Sequence, residues 1–356
     1  MKRINYFDGC EFVYLKEINL LSNNGMYTRD FQKISNKWKE FLDINELFCL
    51  PANPIKLIVA PYQKLVKYFF YFEEYIKKTF PLHTFTDKKS KTYIELKKNK
   101  DKFIKNILSI FNYDIYVKKE DIVKGNIASY SNLIASFFRN HSGSNEFNIY
   151  SCYYCESAFI GTYNDKSDRT FDIDHFFPKE QYPIFALSLY NFVPSCQICN
   201  SRIKGSSNFL HFYNLNNKDP VLFKMSPSSP KYDFYKNVKI RIEPDIIGKT
   251  KDCLTYGEDF FKHSELYKIS FDCDKDYQKI VNGFKLQERY NMTSIKNKAL
   301  FLEDLKIRYP ISKLIYICNL LNETGISISL DEIYNSIFHD NQYVELLEKM
   351  KLDILH

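Results

Sequence analysis

The sequence predicts an α+β fold that is predominantly helical. Three observations carry this. Apolar residues recur at helical spacing in the first part of the chain, as Phe31, Ile34, Trp38 and Phe41 do. Two later segments alternate apolar and polar residues as strands do, with Val238, Ile240 and Ile242 in one and Ile269, Phe271 and Cys273 in the other. Between the two regions lies a central segment flanked by paired cysteines. Glycine is scarce, with ten in 356 residues, which argues against repeat-rich β architectures.

Taken in order, residues 1–146 read as a mainly helical N-terminal region. Pro61 suits the first turn of a second helix whose core would include Leu65, Phe69, Phe72 and Ile76. From Lys88 to Lys105 there are eight lysines against Glu95 and Asp101, with Tyr93, Leu96, Phe103 and Ile107 on a helical period. Such a run is either a solvated helix face or a contact surface for a phosphate backbone. The polar stretch "HSGSNE" marks a boundary, and residues 147–215 form a cysteine-flanked core. Residues 216–356 begin with a proline- and serine-rich connection, "KDPVLFKMSPSSPKYDF", then the strand pair, then helices. There Ser329 and Glu332 form a capping-box pattern.

Apolar residues at 45% and aromatics at 17% supply a large core and exclude a disordered chain. No apolar stretch is long enough to span a bilayer, and the start lacks the apolar region of a secretory signal. A soluble, cytoplasmic protein is the expectation. The net charge of +7 is compatible with a polyanionic partner without arguing for one.

Four of the nine cysteines fall in two Cys-x-x-Cys pairs, Cys152 with Cys155 and Cys196 with Cys199. Each pair can present two thiolates to one tetrahedral metal from a tight turn. Zinc is the natural occupant of a four-sulfur shell, and with no open position it would be structural. A redox dithiol in either pair is the alternative. Cys10, Cys49, Cys253, Cys273 and Cys318 are scattered and read as small buried apolar residues.

Inside the bracket, "FDIDHFFPKEQYP" sets Asp172, Asp174 and His175 in an otherwise apolar run. Strand alternation turns Phe171 and Ile173 toward a core and Asp172 and Asp174 away from it. His175 falls on the wrong face relative to Asp174, so the strand must end or bulge there, consistent with Pro178 three residues on. Downstream, "CNSRIKG" reads as a short helix ending at Gly205, with Asn200 and Lys204 on one face. Packed on the hairpin, that helix would set Asn200 opposite Asp174, each lending an oxygen to a hard cation such as magnesium.

The strings "IDHFFPK", "YNFVPSC" and "CNSRIKG", in this order between the cysteine pairs, resemble the HNH endonucleases and their ββα-metal motif. The likeness covers Cys152 to about Gly205 and is similar to the branch with a cysteine-bound zinc, including HNH proteins of bacterial anti-phage defence such as the Septu type. The resemblance implies a metal-dependent nuclease cutting phosphodiester bonds, DNA before RNA, and leaving 5′-phosphate and 3′-hydroxyl ends. His175 would be the general base, and Asp174 and Asn200 would hold magnesium or manganese. Asn191 would fasten the loop between the strands and help hold His175. Arg202 and Lys204 would contact phosphate, and Asp172 would be an outer carboxylate. The lysine follows Asn200 by four residues, where three is common in that family. The other six histidines read as ordinary surface or packing residues. Two alternatives stay open: an inert zinc-stabilised module that binds nucleic acid or protein, and a nuclease subunit active only with an ATPase partner.

Overall fold

A computed structural model of the protein describes residues 3–111, 130–141, 149–161, 170–205, 226–230, 232–245, 266–338, 350 and 353–354. The fold is α+β and mostly helical, with two small antiparallel sheets. Chain contacts divide it into two compact units. One takes Lys2–Ile149 and Ile160–Asp233, the other Tyr150–Phe159 and Phe234–His356. The two units interleave along the chain.

In the first unit, α1 (Cys10–Glu17), α2 (Arg29–Ile44), α3 (Ile55–Ile58), α4 (Tyr62–Thr79), α5 (Lys91–Phe111) and α6 (Tyr130–Asn140) precede β1 (Asp172–His175) and β2 (Phe192–Ser195). The apolar period of α2 is buried as read: Phe31, Ile34, Trp38 and Phe41 all face the core. Thr28 caps this helix by accepting a bond from the Phe31 amide. Pro61 stands immediately before α4, which buries Leu65, Phe69, Phe72 and Ile76. Trp38 packs on Phe41 and Phe111, and its indole donates to the Pro51 carbonyl at 2.9 Å.

A four-residue hairpin cannot bury a core of its own. The β1–β2 loop instead packs on the N-terminal helices. Phe177 stacks on Tyr62 and Phe69, and Tyr182 meets Phe69 and Phe72. Tyr14 donates its hydroxyl to the Leu187 carbonyl at 2.8 Å, and Ser188 donates to the Leu57 carbonyl at 2.8 Å. The expected proline- and serine-rich connection is also packed where it is described. Ser226, Ser228 and Ser229 are buried, the Ile4 amide donates to Pro227, and Tyr6 shares a hydrogen bond with Ser228. The rest of that stretch, 218–225 and 231, and positions 142–146 of "HSGSNE" lie outside the described residues.

In the second unit, α7 (Phe234–Asn237) leads into β3 (Val238–Pro244), which pairs with β4 (Tyr267–Cys273) from Val238↔Cys273 to Pro244↔Tyr267. Val238, Ile240, Ile269 and Phe271 are buried as the alternation predicts, while Ile242 and Cys273, toward opposite ends of the ladder, are only partly covered. Helices α8 (Lys275–Gly283), α9 (Leu286–Tyr290), α10 (Thr293–Arg308), α11 (Ile311–Glu323) and α12 (Leu330–Phe338) follow. The capping box ahead of α12 is formed: the Ser329 amide donates to Glu332 at 2.7 Å and the Glu332 amide to the Ser329 hydroxyl at 3.2 Å. Among the described residues, no helix is long and apolar enough to cross a membrane.

Candidate functional site

β1 and β2 pair one to one from Asp172↔Ser195 to His175↔Phe192, so the strand ends at His175 without a bulge. One more backbone bond, from the Phe176 amide to the Asn191 carbonyl at 2.8 Å, closes the ladder. The buried Asn191 side chain then takes over. Its Oδ1 accepts from the Phe177 amide at 2.7 Å, and its Nδ2 donates to the Phe177 and Phe185 carbonyls at 3.1 and 3.2 Å. An amide offers both donors and an acceptor, so one asparagine satisfies three backbone groups that the departing chain would otherwise leave unpaired.

The carbonyl of Ala186, next to Phe185 in that clamped loop, lies 3.1 Å from His175 Nε2. A carbonyl only accepts, so Nε2 carries the proton and Nδ1 is the acceptor nitrogen of the ring. The ring also packs edge-on against Phe192, its cross-strand neighbour. Burial pushes the imidazole pKa down to about 3; Lys179 and Lys204 add to that effect, and the bond to Ala186 opposes it. His175 is therefore neutral at neutral pH.

This has a measurable consequence for stability. The folded ring resists a proton that the unfolded histidine accepts near pH 6.5, so stability is complete above that value and falls between it and about 3. Each pH unit lost inside the window costs about 1.4 kcal/mol. Urea titrations from pH 7 to pH 4 are expected to show this slope in the native chain and a shallower one in His175→Gln. Identical slopes would contradict the assignment.

Beyond β2, residues Ile198–Lys204 form a π-helical segment, closed by a bond from the Gly205 amide to the Asn200 carbonyl at 2.7 Å. Gly205 ends it at φ 52, in the left-handed region that favours glycine. π-turns of this kind concentrate at functional sites. Lys204 is thereby delivered inward. Its ammonium donates to Asp174 Oδ1 at 2.8 Å and to the His175 carbonyl at 2.6 Å, with both side chains almost wholly buried. Asn200 donates Nδ2 to Asp172 Oδ2 at 3.1 Å.

Asp172, Asp174, His175, Asn200 and Lys204 line one cleft of about 520 Å³. Within it Asn200 is paired with Asp172, and Lys204 is buried against Asp174. Arg202 is exposed and is not among the residues lining the cleft. The alternation of faces also fails to sort burial: Asp174 is buried under Lys204, while Ile173 is partly exposed in the cleft wall.

Sequence reasoning missed Lys179, which lines the cleft and acts electrostatically on His175. A lysine directly after the proline that stops the strand was a usable signal. It also missed Ser131 of α6 in the wall and the Ala186 carbonyl; a distant serine and a backbone oxygen leave no sequence signature. Among the other histidines, His83 lies on a short turn and His141 packs against Phe7 and Phe137. His211, His263, His339 and His356 lie outside the described residues.

Cys152, Cys155, Cys196 and Cys199 are all buried, and their ligand atoms lie within 4.8 Å of one another. Each pair sits on a tight turn. The Cys155 amide donates to the Cys152 carbonyl at 3.3 Å, and the Cys199 amide to Cys196 Sγ at 3.5 Å. Tyr290 fixes the first turn by donating to the Cys155 carbonyl at 2.9 Å. Bonds of about 2.3 Å in a tetrahedron set sulfurs about 3.8 Å apart, so this donor set suits a structural zinc. Of the scattered cysteines, Cys10 and Cys318 are buried, but Cys49 is exposed and Cys273 partly so, a correction to the reading of all five as core. Cys49 sits in a turn beside the equally exposed Phe48, and Cys253 lies outside the described residues.

No family model, curated protein or solved structure matches the chain.

Proposed function

We propose that the protein is a metal-dependent endonuclease of HNH type that hydrolyses phosphodiester bonds, with DNA as its substrate. The observation that carries this is His175. It lines the same cleft as Asp172, Asp174 and Asn200, and its Nε2 lies 3.1 Å from the Ala186 carbonyl, which makes Nδ1 the unprotonated nitrogen of the ring. The order of strand, strand and helix, the asparagine-clamped loop and the four-cysteine cluster support the same reading.

In this reading the chain's residues divide the work. Nδ1 of His175 accepts the proton of the attacking water. Burial is the main cause of its low pKa, and an arriving phosphodiester would offset only the smaller contributions of Lys179 and Lys204. Lys179, partly exposed in the wall, draws the phosphate in. Asp172 engages the Asn200 amide nitrogen and so would present Oδ1 of Asn200 as a ligand oxygen. Asp174 and Asn200 are the hard-oxygen donors that would hold magnesium or manganese. Asp174 would take that role beside Lys204. The bound ion supplies Lewis-acid stabilisation of the phosphate and the leaving oxygen.

Plasmid nicking with magnesium or manganese tests the proposal. The native chain is expected to convert supercoiled to relaxed DNA, and His175→Ala to lose about 10²–10⁴-fold of that rate while remaining folded by circular dichroism at the assay temperature. Equal nicking by both proteins would refute the role of His175. One observation favours a second reading, an inert zinc-stabilised binding module: the Lys204 ammonium rests on the carboxylate expected to hold metal. A chain that binds duplex DNA but cuts it under neither metal would establish that reading instead.

A further inference from the structure

The lysine run of α5 is absorbed neither by the cleft nor by the core. With 3.6 residues per turn, Lys91, Lys98, Lys102 and Lys105 fall within about 60° of one another around the helix and extend over about 21 Å of its length. All four are exposed, and the opposite face buries Phe103, Ile104, Ile107, Ile110 and Phe111. Glu95 and Asp101 flank the line, one on either side, yet among the described residues none of the four lysines makes an ion pair.

Glu95 stands four residues after Lys91 and three before Lys98, and Asp101 three after Lys98 and four before Lys105, yet neither acid closes an ion pair with them. Lys102 has no acid at these spacings and faces Lys98 and Lys105, like charges that disfavour the helix. The middle of the line is thus left without an internal counter-charge, which an anionic partner would supply. The apolar face is buried, and Ile94 is the only large apolar residue α5 exposes, which does not suit insertion into a lipid surface. A straight row of ammonium groups suits a phosphate backbone, whose charges repeat regularly along its axis.

We propose that Lys91, Lys98, Lys102 and Lys105 form a docking surface for the phosphate backbone of duplex nucleic acid. The proposal rests on the nuclease reading only for the class of partner. Each contact releases counterions, so four contacts contribute about 3.6 to the slope of log affinity against log salt. The experiment measures binding of the full chain to a fluorescent duplex by anisotropy in EDTA, where no cleavage interferes, across a salt series.

K91Q/K98Q/K102Q/K105Q is expected to flatten the slope by about 3 to 4 and to weaken binding about a hundredfold at moderate salt. A control variant, K37Q/K39Q/K275Q/K298Q, removes four other exposed lysines and is expected to keep the native slope. The proposal is overturned if the first variant binds as the native chain does, or if the control loses as much. Tighter binding of the native chain to phosphatidylserine vesicles than to duplex, lost in the same variant, would overturn it in favour of a membrane surface. A chain that nicks plasmid while the α5 variant binds normally loses this surface and keeps the nuclease. One that binds through the surface and cuts nothing keeps the surface and loses the nuclease.

Discussion

Cys199→Ser is expected to abolish zinc binding and to lower the melting temperature more than any single substitution in the cleft. The native chain should carry one zinc per molecule by elemental analysis, and the variant none. Four buried sulfurs within 4.8 Å of one another are held that close by the fold at a cost that an ion would offset. Structural zinc contributes on the order of 10–16 kcal/mol of apparent binding energy in small sites, comparable to the whole stability of a domain. The effect should reach the cleft, because Cys196 follows β2 directly and Cys199 lies within the segment that carries Asn200 and Lys204. Chelation of the native protein should reproduce the variant's loss. A chain that is free of zinc as purified and melts unchanged after chelation would remove the metal from the account.

Lys204→Met is expected to cost about 3–5 kcal/mol, read by chemical denaturation at neutral pH. Methionine fills nearly the same volume, so the loss comes from charge: the carboxylate of Asp174, 4% exposed, keeps its place and loses the ammonium 2.8 Å away. The His175 carbonyl loses its donor as well. Neutralising both partners in Asp174→Asn/Lys204→Met should recover most of the stability, since the penalty belongs to the uncompensated charge rather than to the missing contact. Manganese adds a second readout. If Asp174 is a metal ligand, the ion replaces the lost cation and restores stability in Lys204→Met as its concentration rises, and it does nothing for the double variant. A loss below about 1 kcal/mol in the single variant would mean that the pair is solvated rather than buried.

Much of the fold was legible in the chain because the signals are local. Phe31, Ile34, Trp38 and Phe41 announce α2 by spacing alone, and Ser329 with Glu332 marks the start of α12. The alternation of residues 238–242 and 269–273 gives both strands of the second sheet. The cysteine quartet was legible because metal chemistry restricts both residue type and spacing. What failed depends on contacts between distant residues. Lys204 reaches Asp174 only through a widened helical turn and a hairpin formed thirty residues earlier. Ser226, Ser228 and Ser229 look like linker by composition, and are buried because Ile4 and Tyr6 return to meet that stretch. Whether a hairpin forms its own domain or leans on helices more than a hundred residues upstream is decided by Phe177 and Tyr182, whose partners no short window contains.

The bond that spans from Gly205 back to Asn200 makes this pocket sensitive to chain length as well as to side-chain identity. Removing Ile203 by a single-codon deletion would tighten the coil to ordinary pitch and draw the lysine out of its socket beside the aspartate. Every acidic, imidazole and amide group of the pocket would survive in the gene. Loss of one codon, rather than replacement of any charged residue, would then be enough to withdraw the cation that the polypeptide itself supplies to the aspartate.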